Sequence, residues 1–516
     1  MRKMTLVLAG FAALSAGAEP KPVGYLQIAD EARLAAAAAK FGENVGQPTL
    51  GLTATAVLSQ TEFRRAFGMT ATNSSVLVTF CLDEELVAKG NLDDLRKVKA
   101  AIVYPLSKSK GAIVKSWNGF SEMTNGLYHV NGAVPGASLL DDFYAGFSDD
   151  GKYMAICDKP EYVRPSLGMC KSAEKPMKDA LVRFRASRVL LEKFVTKENV
   201  AAWVTNKLDD AGKTLSKSDL EVFDLLSGLR GLSGELAYSD LGLDIRATID
   251  TAEGSGLSRL GKNPLAPNAL AFAPAESVAV QAVAAGGDGA SAIPAMKELE
   301  ALLVRHGIKT GFLAKTEKPG SLGYTLDVQA CADYFKLAAT NELSKIDPNK
   351  FVDDLKATIE KIDSGYNPET VKPFGIFFGI KGFSSGVTPA ARLAKILPEM
   401  NKTVKPFACV WGQPYAAIRQ VAPMMVATLD ESARAMVEPI VNQLPAPGEG
   451  GVGCMYWREN SRLHGLYRMT NDELKGLGSV FNAFVAFQMA SAMGNAGFLN
   501  EEDDEDEEDD DDDDEE

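Results

Sequence analysis

Runs of β-branched and aromatic residues in this chain stop at turn residues and resume a few positions later. This pairing restricts the fold more than any other feature of the sequence. Residues 144–147 and 153–157 flank Ser148-Asp-Asp-Gly-Lys152, and Asp-Gly favours the tight turn that returns one strand beside another. Residues 234–238 and 243–249 face across Asp240-Leu-Gly242, and 453–457 and 463–469 across Glu459-Asn460. Residues 310–314 and 324–328 do so across Lys318-Pro-Gly-Ser321. Strand-like runs also occupy 75–80, 100–104 and 112–117. Strands joined by so few residues pair antiparallel, because a parallel pair needs a long crossover.

Helical signals come in blocks between these hairpins. Residues 30–40 open on Asp30, an N-cap type, and continue in strong helix formers. Ser59-Gln-Thr-Glu62 and Ser218-Asp-Leu-Glu221 are capping boxes, the first opening a helix to Phe67. Residues 173–229 read as largely helical, with Leu181, Phe184, Val189, Leu190 and Phe194 as apolar positions. Further helices are expected at 292–306, 331–344, 347–363, 388–398, 413–428, 430–443 and 471–493. The last is expected to pack on the body with Phe481, Phe484, Val485 and Gln488 near one face, its sharper reading being membrane insertion or partner docking. Hairpins and helix blocks without regular βαβ alternation give an α+β class, antiparallel sheets with helices packed on one face. The expected division is a first α+β unit at 19–172, a helical connecting block at 173–231 and a second α+β unit at 232–500. Short echoes, 243–247 against 326–330 and 126–130 against 465–469, raise the expectation of two related halves.

Residues 1–18 join Arg2 and Lys3 to an apolar run at 5–14 and small residues at 15–18. That order is the pattern of a signal peptide cleaved after Ala18, and the run is too short to span a bilayer. The expected location is the periplasm or the extracellular space, with no transmembrane segment in the mature chain. All sixteen residues of 501–516 are Asp or Glu, and they account for the formal net charge of −15. Residues 19–500 hold 52 basic and 53 acidic side chains. A near-neutral body excludes nucleic-acid binding driven by bulk positive charge. A hydrophobic content of 46% excludes wholesale disorder. The acidic segment has nothing apolar to set against chain entropy, so it reads as a disordered, solvated tail. Its alternatives are contact with a basic surface and weak Ca²⁺ capture at Glu501, Asp503 and Asp504.

Six cysteines follow the signal: Cys81, Cys157, Cys170, Cys331, Cys409 and Cys454. In an oxidising compartment an even number permits disulfides. Cys157 with Cys170 would close a short loop, adding about 3 kcal/mol on the chain-entropy account. Cys409 and Cys454 sit in strand-like runs and are candidates to pair across the sheet. The plainer alternative is a set of buried thiols, since free cysteine packs as a small hydrophobe. No CxxC spacing occurs, so neither a zinc ribbon nor a thioredoxin-type site has support.

Motifs that look catalytic fail on context. Gly382-Phe-Ser-Ser-Gly386 fits the G-x-S-x-G elbow after a strand-like run at 373–380, and chain order offers Ser384, Asp430 and His464 as a triad. Thr388-Pro389, however, is a cap and first-turn proline, starting the helix several residues beyond Ser384. The segment therefore reads first as a Gly/Ser turn. Gly448-Glu-Gly-Gly-Val-Gly453 matches G-x-G-x-x-G by letter, but it lacks the preceding strand and following helix that would hold a dinucleotide. Ala211-Gly-Lys-Thr214 has Lys207 where a P-loop needs its first glycine. His129, His306 and His464 have no local ligand partner and read as structural, His306 as a helix C-terminal residue. Neither a metal site nor a cofactor is expected within the body.

The strand–turn–strand at 149–157 followed by 158–167, and the Pro-Ala-Glu-Ser turn within 267–280, resemble elements of uncharacterised exported bacterial proteins. That resemblance implies an exported α+β protein with paired repeats and no assigned chemistry. The resulting expectation is a non-enzymatic binding or envelope-associated protein. The alternatives are a serine hydrolase centred on Ser384 and a carrier of hydrophobic ligands.

Overall fold

The computed structural model describes residues 20–498 except 50, 54–55, 57–73, 117–118, 132–141, 174–176, 210–222, 224, 267–268, 285–291, 309, 319, 342–346, 365–373, 384–385, 402–403, 428 and 430. The expected signal peptide at 1–18, the acidic segment 501–516 with Glu501, Asp503 and Asp504, and both Ser384 and Asp430 lie outside the described residues. So do the capping boxes at 59–62 and 218–221 and the motif at 211–214.

Among the described residues, seventeen strands join in one sheet. The first group is β1 (Lys21–Ile28), β2 (Val76–Leu82), β3 (Lys99–Pro105), β4 (Phe120–Glu122), β5 (Leu127–Asn131) and β6 (Asp142–Phe147). Next come β7 (Tyr153–Cys157), β8 (Ala180–Ala186), β9 (Leu229–Ser239) and β10 (Gly242–Thr251). Then follow β11 (Ser277–Val283), β12 (Leu313–Lys318), β13 (Ser321–Leu326) and β14 (Phe374–Ile380). The set closes with β15 (Pro406–Gly412), β16 (Val452–Glu459) and β17 (Arg462–Met469). Their pairings give the spatial order β4-β5-β6-β7-β3-β2-β1-β8-β9-β10-β17-β16-β15-β11-β14-β13-β12. Among the described residues every pairing is antiparallel except β13 with β14.

The β9–β10 hairpin stands at the middle, with the strands that precede it in sequence on one side and those that follow it on the other, and β8 and β17 return to flank it. On each side a strand receives the end of a meander: β7 returns to β3, and β14 returns to β11. The sequence echoes do not follow this correspondence. One joins β10 with the end of β13 and the other β5 with β17, strands at unlike places in the order.

The α+β class holds, with a correction to its layering: helices lie on both faces. Strand β7, Tyr-Met-Ala-Ile-Cys, is buried at every position, as a strand covered on both sides must be. Its Ala155 and Cys157 pack with Val163 and Tyr162 of the segment after it. Its Met154 and Ile156 pack with Ile113 on the other face. Ile113 belongs to the helix Lys110–Ser116, where a strand was expected at 112–117. Ser109 opens that turn, its hydroxyl and carbonyl accepting from the backbone N–H groups of Ala112 and Ile113. A short apolar run does not by itself distinguish strand from helix.

A second correction concerns residues 173–231. Ala180–Ala186 is strand β8, not helix, and bridges β1 to β9. The helices Arg188–Phe194 and Lys197–Asp209 do follow it. Other helices stand close to expectation, among them Glu31–Asn44, Pro389–Ile396 and Pro414–Ala427. The helix Asn471–Phe498 packs Gly476 against Tyr415 and Gly478 against Val45. Phe481 and Phe484 remain exposed on it.

All six cysteines are buried free thiols. The proposed bridge between Cys409 and Cys454 is blocked by register. Cys409 stands opposite Met455 and Cys454 opposite Val410, so the two side chains leave opposite faces of the sheet. Cys157 instead directs its Sγ to Ala100 O (3.4 Å) and Asp158 Oδ1 (3.2 Å), while Cys170 joins the same core unbridged.

Candidate functional site

Along β8, β9 and β10 the sequence alternates apolar with charged or small residues. With a period of two, one set goes to each face. Val182 and Phe184 go one way, Arg183 and Arg185 the other. On β10, Leu243, Ile245, Ala247 and Ile249 oppose Asp244, Arg246, Thr248 and Asp250. Register aligns the polar sets into cross-strand rows. One row runs Gln27, Arg183, Glu235, Arg246. The next runs Tyr25, Arg185, Ser233, Thr248, His464, Trp457. A third runs Gly231, Asp250, Arg462, Glu459.

The same face is covered to either side. On one flank Val163 and Tyr162 pack over Tyr25, Leu77 and Val103. On the other, Leu393, Ile396 and Leu397 of the segment around Pro389–Ile396 pack over Met455, Leu466 and Trp411. Between these caps the central strands floor an open trough of about 1230 Å³. Six arginines (183, 185, 188, 230, 246 and 462) line it, against three carboxylates, Glu235, Asp250 and Glu253.

Ion pairs hold most of the guanidinium groups. Arg183 Nε lies 2.7 Å from Glu235 Oε1, and its Nη1 donates to Gln27 Oε1 at 3.4 Å. Arg462 Nε donates to Asp250 Oδ1 at 2.8 Å. Gly231 makes room for that carboxylate, since a Cβ there would stand 2.3 Å from Asp250 Oδ2. At the end of the trough Glu192 accepts from Arg188 Nε at 2.7 Å and lies 3.6 Å from Arg230 Nε. Arg246 Nη2 donates to Asp244 Oδ2 at 3.2 Å. That carboxylate also holds Arg468, which is buried beneath the flank and bonded to Ile396 O (2.9 Å) and Glu399 Oε1 (3.1 Å). Arg185 differs from these. Its side chain is exposed on the middle row, and the guanidinium has no hydrogen-bond or ion-pair partner among the described residues.

His464 closes the middle row. Its Nδ1 lies 3.1 Å from Thr248 Oγ1, and its ring stacks on Trp457 with centroids 5.2 Å apart. Burial moves its pKa below the ordinary histidine value, outweighing Glu459, so the ring is neutral near pH 7. The strand leading to Ser384, β14, is four places from β17 in the sheet, about 19 Å at the usual strand spacing. His129 packs on Tyr144 with centroids 5.0 Å apart. His306 pairs with Asp354 (2.8 Å), a partner on the helix Pro348–Ser364 that local spacing did not reveal. The segment at 448–453 is a loop entering β16, tied by Gly451 N donating to Thr470 Oγ1 at 2.9 Å. Among the described residues no cluster of His, Cys, Asp and Glu forms a metal site.

The trough arginines were not among the sequence candidates. The signal for them was the alternation at 182–186 and 243–250. It was hidden by reading 173–229 as helical and by the distance in sequence between β8, β10 and β17.

Neither a known protein family nor a curated protein matches this sequence. One solved structure, "Structure of crystal form I of TP0453", aligns with 46% of this chain and 78% of its own, at 7% identity and a TM-score of 0.21. Agreement at that level transfers neither fold nor function.

Proposed function

We propose that this chain is a non-enzymatic binding protein whose site is the central trough and whose ligand carries carboxylate or phosphate groups. The observation that carries this reading is Arg185. Its guanidinium is exposed on the midline of the trough with no partner among the described residues. Guanidinium groups match carboxylate and phosphate oxygens in paired hydrogen bonds. The neighbouring Arg183, Arg246 and Arg462 are already oriented by Glu235, Asp244 and Asp250, so little ordering is left for a ligand to impose. A hydrophobic cargo would meet charged side chains here, which disfavours the carrier alternative. Reading residues 1–18 as an export signal goes with binding outside the cytosol. Among the described residues no helix is long and apolar enough to cross a membrane.

Calorimetric titration with inorganic pyrophosphate tests the proposal. Arg185→Glu should weaken binding by at least about tenfold, the scale of one charge-assisted contact. Unchanged affinity in that variant sinks the reading.

A further inference from the structure

We propose that the trough selects a hydroxyl-rich monocarboxylate of the sugar-acid type over polyanions, with the acid group at Arg185 and the hydroxyls over Ser233 and Thr248. The inference rests on the trough being an anion site and narrows what that site takes.

Charge sets the number of acid groups. Arg183 pairs with Glu235, Arg462 with Asp250 and Arg246 with Asp244, while Glu192 serves Arg188 and Arg230. Arg185 is left as the guanidinium with no partner among the described residues. Along β9, Ser233 lies between Glu235 and the Asp250 carboxylate, which sits over Gly231. A second negative charge on the ligand would face those two carboxylates, each about 7 Å along the strand from the middle row. That is within the screening length of ordinary salt. One acid group fits here and several do not.

The hydroxyls follow from the rest of the row. Ser233 stands opposite Arg185, Thr248 opposite Ser233 and His464 opposite Thr248. Arg185 and His464 are thus three strand spacings apart, about 14 Å, with only two small side chains between them. Burial keeps His464 neutral near pH 7, so nothing beyond Arg185 on this row carries charge. The Ser233 hydroxyl has no hydrogen-bond partner among the described residues. Thr248 Oγ1 uses one bond on His464, and a hydroxyl has capacity for more. To either side, Arg183 with Glu235 and Arg462 with Asp250 set donor-only groups beside acceptor-only ones. A hydroxyl donates and accepts at once, so it can satisfy both, which a carboxylate oxygen cannot.

Calorimetric titration of the full chain with glucuronate, acetate, glucose and pyrophosphate tests the inference. Glucuronate should bind at least about tenfold more tightly than acetate, which has the acid alone, or glucose, which has the hydroxyls alone. It should also bind more tightly than pyrophosphate. Arg185→Glu should weaken glucuronate and acetate together. Ser233→Ala and Thr248→Val should each shrink the preference for glucuronate over acetate by about fivefold, a ratio that a loss of folded protein would not change. The methyl glycoside of glucuronate separates two sources of the same chemistry. Binding as tight as the free acid's supports a residue within a saccharide chain, and weaker binding supports a free sugar acid. Acetate or pyrophosphate binding through Arg185 as tightly as glucuronate would overturn the selectivity and leave the anion site intact. If no anion binds in an Arg185-dependent way, site and selectivity fall together.

Discussion

Asp244 and Arg468 stand 224 positions apart in the chain and opposite each other on β10 and β17, joined by two parallel hydrogen bonds of 2.5 and 2.6 Å. The arginine side chain is 2% exposed and the aspartate 6%. Removing one partner leaves the other charged in a dry setting, the costly case for a buried pair. Glu399 remains to share the charge. Asp244→Ala should therefore destabilise by about 3 kcal/mol, the low end for such pairs. Replacing both partners, Asp244→Leu with Arg468→Met, should recover most of that loss. Urea denaturation of the three proteins checks it, and equal losses in single and double variants would refute it.

That pair also marks the limit of what was legible beforehand. The hairpins at 144–157, 234–249 and 453–469 declare themselves because strand, turn and return strand are contiguous. Helix starts do so through caps: Asp30 Oδ1 accepts from Arg33 N at 3.1 Å, and Thr388 Oγ1 from Ala391 N at 3.4 Å. Which hairpin lies beside which is decided by pairing over long separations, as between β1 and β8 or β10 and β17. No local pattern encodes that choice. The trough exists only through those pairings, so its charged half-strands were visible one by one while their convergence was not.

The thiols give a chemical check on the core. Cys157 and Cys409 are each pushed up to about 12 by burial, and Cys454 to about 11. A protonated, enclosed thiol is a poor nucleophile. Native protein should leave Ellman's reagent unreacted over minutes, and unfolding without reductant should release all six thiols. A lower count in the unfolded protein would reveal a bridge.

Gly323 on β13 lies opposite Phe377 on β14. A Cβ at that glycine would stand 1.9 Å from the ring, which belongs to the main core. The ring is enclosed and cannot swing aside. Gly323→Ala should cost about 3 kcal/mol, the upper range for overpacking. Adding Phe377→Leu should return part of it. An alanine variant as stable as the parent would show that the two strands have room to part.

Glu473 supplies a pH-dependent prediction whose sign follows from its surroundings. It sits in the first turn of the helix Asn471–Phe498 and is 3% exposed. Burial, aided by the neighbouring charge of Asp472, pushes its pKa up to about 7, while the Tyr415 N–H it accepts works the other way. In the unfolded chain the same group titrates near the ordinary value of about 4.3. Between those values the folded state holds a proton that the unfolded state has released. The contribution is therefore complete below about pH 4.3 and is lost as pH rises through about 7. Glu473→Gln keeps an oxygen for Tyr415 and carries no charge at any pH. Its stability relative to the parent should grow across that window, reaching at most roughly 4 kcal/mol above it. Urea midpoints for both proteins across the window measure the gap. A gap that stays constant with pH would mean that Glu473 remains ionised in the fold.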